Sequence, residues 1–456
     1  MGRPAPCFTS AMIHVRPMTF GQSGPGRLSG CVGNWQTSVA GKSDTSTEAA
    51  PTQPTVELPR PLQVAPDFWR LYLTLSTVIF CGFVALGSAG PFQALYAVSL
   101  GATLGQVALL AGGYTSIALF AGLAWGRLAD RPGRRKWLMV GGMCLLGIVH
   151  LASALVPHWE WLVPLRFIEG LAIPAHQVAS MAMMGDLLAG HPNRPRLISA
   201  YRMSGSLAFS VAIVASGALS QAVGYAGSYI VATAFFAIGA ATAATLPGVV
   251  RVDVAVPGTT PTRVGFGELL TGPMRPVLIL ALAFGLPFSM VYSVWPIWIA
   301  NELGLGQATY SQLWGLAAFA EVPFMLAAGW MIGRAGAPRT FTLGLIAFSA
   351  VYCVYLINPP IEGLFLAQVV RGLGFAAYTA TSLTMAIELA PATARGRAAG
   401  LYQSAQGLAQ ITGNWIGPPL AGAFGFRPIY ALAAVAVLGG AAYALRIARP
   451  TTQTDL

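Results

Sequence analysis

The chain has 456 residues, of which 55% are hydrophobic and only 9% are charged. Soluble domains average about 25% charged residues, and the mean hydropathy here is +0.64, so the composition excludes a soluble enzyme and indicates an all-α polytopic membrane protein. The net charge of +11 does not indicate nucleic-acid binding, because the basic residues lie mainly in the terminal segment and in alternate short loops. The five cysteines show no metal-ligand spacing and are expected to be reduced.

Residues 1–65 are rich in Gly, Pro, Ser and Thr and are predicted to form a disordered N-terminal tail without the apolar stretch of a signal peptide. A spanning helix needs about 20 mainly apolar residues, and the chain offers about twelve such segments. The first six predict a bundle at 66–248 and the last six a bundle at 274–449, with a polar central loop at 249–273 and a C-terminal tail at 450–456. The predicted spans are 70–97, 104–127, 137–156, 161–187, 198–222, 226–248, 275–300, 309–333, 340–358, 362–389, 397–423 and 427–447.

Basic residues in the short loops predict the orientation of these helices. Arg or Lys occurs in the loops after the second, fourth, sixth, eighth and tenth helices, and in none of those after the first, third, fifth, seventh and ninth. Loops rich in Arg and Lys remain on the cytoplasmic side of a membrane. The sequence therefore predicts a multi-pass protein of a bacterial inner membrane with both termini in the cytoplasm.

The loop between the second and third helices, residues 126–136, reads GRLADRPGRRK. This pattern, G-x-L-A-D-R-x-G-R-R, resembles the signature loop of the major facilitator superfamily, and the resemblance extends over residues 66–449. It implies two pseudo-symmetric six-helix bundles that transport a solute by alternating access. In that family the acid of this loop, here Asp130, pairs with nearby basic residues and a helix N-terminus to close the cytoplasmic side. The implied conformational switch consists of Gly126, Asp130, Arg131, Gly133, Arg134 and Arg135.

The two halves of the chain repeat at an offset near 202 residues. Glu169-Gly170-Leu171 matches Arg371-Gly372-Leu373, and Gly224-Tyr225 matches Gly425-Phe426. Duplicated halves favour a carrier with its substrate site between them, near the middle of the membrane. The sequence contains no P-loop, so a proton gradient rather than ATP is the expected energy source.

Ionisable residues inside the spans are few, and each costs about 2.5–3.5 kcal/mol at the bilayer centre on insertion scales. Arg166 and Glu169 are three residues apart, so they share a helix face and can pair; their segment resembles the helix 4 motif of proton antiporters of the family, in which the arginine is tied to proton coupling. Glu321 has no basic residue on its helix before Arg334. A carboxyl in apolar surroundings favours its neutral form, which suits a group that binds and releases a proton.

Arg371 on the tenth helix is a possible partner of Glu321 across the bundle. The stretch around Glu321, residues 319–329, resembles helix 8 of bacterial sugar efflux transporters. Arg166, Glu169, Glu321 and Arg371 are therefore the predicted proton-coupling residues. The alternative is that these side chains form structural ion pairs.

Polar and aromatic side chains inside the spans are the predicted lining of the substrate cavity. Four on the eleventh helix form one polar stripe, which faces a cavity or makes hydrogen bonds to another helix. Two aromatics on the seventh helix can stack on sugars or on lipophilic drugs, or belong to an interfacial belt. The histidine on the fourth helix lies two turns from Glu169 and is otherwise a structural residue. The candidates are Gln93, His176, Phe288, Tyr292, Gln403, Gln406, Gln410 and Asn414.

The sequence thus predicts a secondary active transporter of a small organic solute. Proton-coupled efflux of a sugar or drug is the first interpretation, proton-coupled import of organic acids or sugars is the alternative, and a non-transporting receptor is a third. No nucleophile–base constellation or metal cluster points to an enzyme. The expected partners are the substrate and the lipid bilayer, without nucleic acid or a cofactor, and the chain is expected to be a monomer.

Overall fold

The structure, a computed structural model, describes residues 67–131, 133–189, 191–247, 274–388 and 395–447. The predicted tails at 1–65 and 450–456 and the predicted central loop at 249–273 lie outside the described residues. The side chains of Arg395 and Arg397, and Pro132 in the signature loop, also lie outside them.

Twelve long helices, α1 to α12, make up the described chain, and each lies within four residues of its predicted span. Nine of these helices are long and apolar enough to cross a membrane. The remaining three, α4, α10 and α11, carry buried charges or polar stripes that lower their hydropathy. The helices are α1 (Phe68–Ser99), α2 (Leu104–Ala129), α3 (Arg134–Ala154), α4 (Leu162–Leu187), α5 (Arg194–Val223), α6 (Tyr225–Ala244), α7 (Arg275–Glu302), α8 (Gln307–Ala335), α9 (Ala337–Leu356), α10 (Ile361–Glu388), α11 (Arg395–Phe424) and α12 (Phe426–Ile447).

The long apolar run at 203–250 is divided by a single residue. Gly224 has a φ of +81°, a backbone conformation that glycine adopts without the steric cost of a Cβ. It ends α5 at Val223 and allows α6 to begin at Tyr225. Gly425, with a φ of +80°, separates α11 from α12 in the same way, so the repeat seen in the sequence is also a repeat of turns.

The helices pack as two six-helix bundles with the same internal contacts. In the first bundle α4 packs on α2 and α3, and α6 packs on α1 and α3. In the second bundle α10 packs on α8 and α9, and α12 packs on α7 and α9. Glycine permits the closest crossings. A Cβ on Gly170 would lie 2.7 Å from the carbonyl oxygen of Tyr114, and a Cβ on Gly372 would lie 2.8 Å from that of Ala317.

The two bundles meet through α2 with α11 and α5 with α8. We call the end that holds the start of α1 and the loop between α2 and α3 the basic end, and the other the opposite end. α5 and α8 touch toward the opposite end, where a Cβ on Gly217 would overlap the Oγ of Ser311. Further along α8, Leu326 is 79% exposed and Trp330 is 58% exposed. α5 and α8 are therefore in contact toward the opposite end, and the part of α8 nearer the basic end is exposed.

Candidate functional site

A cavity of about 360 Å³ lies between the two bundles, toward the opposite end. This volume is in the range of small-molecule sites. Its walls come from α1, α2, α4, α5 and α6 of the first bundle and from α7 and α8 of the second. Four predicted site residues lie in its wall: Gln93, Arg166, Glu169 and Tyr292.

The wall from the first bundle carries a buried ion pair. The Nη1 atom of Arg166 lies 2.5 Å from Oε2 of Glu169, as expected for residues three apart on a helix. Gln93 Nε2 on α1 donates to Oε1 of the same carboxylate at 3.2 Å. The guanidinium of Arg166 also lies 4.1 Å from the ring centre of Tyr114 on α2. Residues of α4 and α1 thus hold the carboxylate of Glu169 at the cavity surface, and Tyr114 of α2 packs against its arginine partner.

His150 on α3 lies behind this pair and is not among the site residues predicted from the sequence. Its side chain is 1% exposed, and its Nε2 lies 4.0 Å from Oε1 of Glu169. The only signal in the sequence is a histidine within an otherwise uncharged span, and the spacing between α3 and α4 residues does not reveal which side chains meet.

The wall from the second bundle is aromatic, with a buried cation behind it. The guanidinium carbon of Arg371 lies 4.4 Å from the ring centres of both Tyr292 and Trp314, and both rings line the cavity. Such stacking compensates a desolvated guanidinium by about 2 kcal/mol or more. Arg371 Nη1 also donates to Oε1 of Gln368 at 3.0 Å. Gln368 lies one turn away on the same helix, α10, so this hydrogen bond holds the guanidinium close to its own helix.

The suggested ion pair between Arg371 and Glu321 is not present. Among the described residues Arg371 makes no ion pair; the rings and Gln368 occupy its guanidinium. The α8 and α10 backbones do cross there, since a Cβ on Gly372 would lie 3.1 Å from the backbone nitrogen of Glu321. Glu321 is half-buried and is not part of the cavity wall, and its role in proton coupling stays a prediction.

Two other predicted cavity residues lie within the bundles. His176 is buried in the first bundle, where its ring packs against Gly82 of α1 and Phe236 of α6. Phe288 packs against Phe284 and Phe348 in the second bundle. Neither residue is among those that line this cavity, and their role in substrate binding stays a prediction.

Two of the four residues in the polar stripe on α11 make hydrogen bonds to other helices. Gln406 donates to the hydroxyl of Tyr378 on α10, and Asn414 Nδ2 donates to Thr115 Oγ1 on α2 at 3.5 Å. Hydrogen bonds between helices are the alternative predicted from the sequence, and the role of the stripe in lining the cavity stays a prediction. The other two members of the stripe are exposed and outside the cavity wall: Gln403 and Gln410.

The signature loop contains an ion pair, but not the predicted one. Arg135 pairs with Asp186 at the end of α4 and donates through Nε to the carbonyl oxygen of Ala129 at 2.9 Å. Asp130 is exposed and makes no ion pair with a described residue. Since α4 ends beside the start of α3, Asp186 is the acid within reach of Arg135.

The remaining switch residues form the turn itself. Gly133 has a φ of +74° and directly precedes α3, which explains why a glycine is needed there. Arg131 and Arg134 are exposed, and Gly126 has open space around its Cα. Their role in a conformational switch stays a prediction.

Replacing Asp186 by Asn is expected to lower the stability by less than about 1 kcal/mol, because the pair is partly exposed and solvent screens it. Arg135 also keeps its hydrogen bond to Ala129. The measurement is the melting temperature of the purified protein in detergent. A loss of several kcal/mol would contradict this assignment.

Comparison with known proteins decides the family. A model of the Major Facilitator Superfamily matches residues 75–287 and 277–455, most of the chain and each bundle in turn. The chain belongs to the major facilitator superfamily. It is therefore a multi-pass membrane transporter, in a family of carriers rather than enzymes, and the all-α fold predicted from the sequence is confirmed.

Two curated relatives are similar over most of their length. A maltose permease of Geobacillus stearothermophilus is 28% identical over 331 residues, which cover 71% of this chain and 81% of the relative. A multi-drug resistance efflux pump PmrA homolog of Lactococcus lactis subsp. lactis (strain IL1403) is 24% identical over 377 residues, covering 79% of this chain and 90% of the relative. Both are described as transport proteins.

Solved structures share the fold at low identity. The nucleoside transporter NupG aligns with a TM-score of 0.69 and 16% identity, covering 84% of this chain and 100% of NupG. A bacterial homolog of the human lysosomal transporter Spinster, in an inward-facing and unoccupied conformation, aligns with a TM-score of 0.68 and 15% identity, covering 85% of this chain and 98% of that chain.

Proposed function

We propose that this transporter is a proton-coupled carrier that exports a small polar solute across a bacterial inner membrane, with a sugar as the first candidate for that solute. The observation that carries the proposal is the buried Arg166–Glu169 pair in the cavity wall. Ionisable side chains inside a spanning segment are costly and mark ion or substrate pathways. Glu169 is the carboxyl placed to exchange a proton with the cavity, and no cofactor is required.

The cavity suits a hydroxylated solute better than a cationic drug. Gln93, Arg166 and Glu169 offer donors and an acceptor on one wall, and the rings of Tyr292 and Trp314 offer flat apolar surface on the other. Arg371 places a positive charge directly behind those rings, which disfavours a cation in the cavity. The similarity to a maltose permease supports a sugar.

The conformation supports alternating access. At the opposite end, Tyr310 of α8 donates through its hydroxyl to the carbonyl oxygen of Pro91 on α1 at 2.8 Å, which joins the bundles above the cavity. At the basic end α8 is exposed. With the basic end in the cytoplasm, as its charges predict, we propose that this is the inward-facing state. Both walls of the cavity come from one chain, which supports a monomer.

Import is the second candidate, and the permease relative is the observation that favours it. The efflux pump relative favours export. With an inward proton gradient, import results if the proton and the solute bind together, and export results if they exclude each other. The two candidates therefore share the same cavity and the same coupling residues.

The substrate class is tested by exchange in proteoliposomes. Vesicles containing the protein are preloaded with unlabelled solute and diluted into labelled maltose, an organic acid or a cationic drug. We expect labelled maltose to accumulate by exchange and the cationic drug not to. Arg371→Gln is expected to admit the cationic drug by removing the charge behind the rings. Exchange of cationic drugs but not sugars by the unaltered protein would contradict the proposed substrate class.

A further inference from the structure

The tautomer of His150 follows from its hydrogen bond. Its Nδ1 lies 2.9 Å from the carbonyl oxygen of Leu146. A carbonyl oxygen accepts only, so Nδ1 carries the hydrogen, and in the neutral ring Nε2 is left with a lone pair. This Nε2 is buried, has no hydrogen-bond partner among the described residues, and faces Oε1 of Glu169 at 4.0 Å. A lone pair that faces a carboxyl group can accept a proton from it.

Two of the side chains near His150 are charged, one positive and one negative. From α6 the rings of Tyr229 and Phe236 pack against the imidazole, with ring centres 5.7 and 5.0 Å away. From α4 come Arg166 and Glu169, which are charged and already paired with each other. From α1, Gln93 and Tyr96 are near this cluster: Gln93 donates to Glu169 and the hydroxyl of Tyr96 donates to the carbonyl of Ser153.

The two proton acceptors, Glu169 and His150, differ in their access to water. Glu169 lies in the cavity wall, whereas His150 does not. A proton from cavity water reaches the carboxylate first. The carboxylic acid then gives that proton to Nε2, the carboxylate is restored, and the proton rests on the imidazole as an N–H directed at Oε1. No other bond is made or broken.

We propose that His150 is the residue that holds the coupled proton, with Glu169 as its entry from the cavity. This inference rests on the proposed function and names a proton site within it. A proton on His150 directs an N–H at Oε1 of Glu169 and occupies an acceptor that a solute hydroxyl in the cavity would otherwise use. Proton binding therefore weakens solute binding, and the two are linked through one carboxylate, as exchange of a proton for the solute requires.

A first experiment detects the proton without any solute. Infrared difference spectra of the full-length protein in lipid are recorded between about pH 5 and 8, where histidine commonly titrates. We expect an imidazolium signal that His150→Gln removes and His176→Gln retains. His176 is the matched control, because it is equally buried in the same bundle but packs against Gly82 and Phe236. Absence of a signal that depends on His150 across this range would overturn the proposal.

A second experiment separates coupling from transport, with maltose as the probe. We expect His150→Gln to reduce gradient-driven accumulation to the level seen without a gradient, while exchange of maltose, which needs no net proton movement, stays within about twofold. Unchanged accumulation in His150→Gln would overturn the proposal. Loss of exchange as well, in a variant that melts like the unaltered protein, would assign His150 to solute transport itself rather than to proton coupling, and would also overturn the proposal. If the unaltered protein neither exchanges nor accumulates maltose, the proposed sugar substrate fails, and the infrared result alone decides on His150.

Discussion

Replacing Arg166 by Gln is expected to destabilise the protein by about 3–5 kcal/mol. The substitution leaves the carboxylate of Glu169 buried without its cation, and removing one partner of a buried ion pair costs about this much. Gln93 remains as a donor to that carboxylate, but a neutral amide does not balance its charge. The measurement is thermal unfolding of the purified variant in detergent. Acidification is expected to relieve the loss, because a protonated carboxyl no longer carries an uncompensated charge.

Two controls identify the cause of that loss. The double variant Arg166→Gln, Glu169→Gln removes both charges, and we expect it to recover much of the lost stability. Arg371→Gln also removes a buried arginine, but it leaves no described carboxylate unpaired, so we expect a smaller loss. If Arg166→Gln melts at the temperature of the unaltered protein at neutral pH, Arg166 does not compensate the buried charge of Glu169 as we infer.

Replacing Gly217 by Leu is expected to shift the protein toward the state that is open at the opposite end. Even a Cβ at this position overlaps the Oγ of Ser311 and lies 3.0 Å from the carbonyl oxygen of Gln307, so a larger side chain forces α5 and α8 apart. Overpacking costs about 1–3 kcal/mol. A cost of this size, present in only one of two states, changes their ratio by about 5- to 150-fold.

The shift is measured as a distance between spin labels on Val223 of α5 and Gln312 of α8, both of which are exposed. The native cysteines are first replaced by serine. We expect the distance distribution to move to longer values in Gly217→Leu. The matched control is Gly329→Leu, on the exposed part of α8 where no atom lies within 4 Å of the added Cβ. A distribution that is the same in both variants would show that contact between α5 and α8 does not select the state.

The helices and their repeat could be predicted from the sequence because both depend on short-range features. Runs of apolar residues set the helix lengths, and Gly224 divides the longest run. The contact between Arg166 and Glu169 was also predictable, since a spacing of three on one helix places both side chains on one face. Each of these features depends on residues close to one another in the chain.

Contacts between helices could not be predicted in this way. Spacing along α3 and α4 does not show that His150 faces Glu169, or that Arg135 prefers Asp186 to Asp130. The rotation of each helix about its axis sets these contacts, and many packed neighbours together determine that rotation. For the same reason the hydrogen bond from Gln406 to Tyr378 of α10 could not be predicted.

The central claim is that Glu169 couples a proton to the solute in the cavity, and flux in inverted membrane vesicles tests it most directly. Vesicles energised by a proton gradient are given labelled maltose, and the unaltered protein is compared with Glu169→Gln and Glu321→Gln. We expect maltose to accumulate and to dissipate the gradient with the unaltered protein. Glu169→Gln is expected to abolish this accumulation while exchange continues. Normal accumulation by Glu169→Gln, with loss in Glu321→Gln instead, would contradict the claim and move proton coupling to α8.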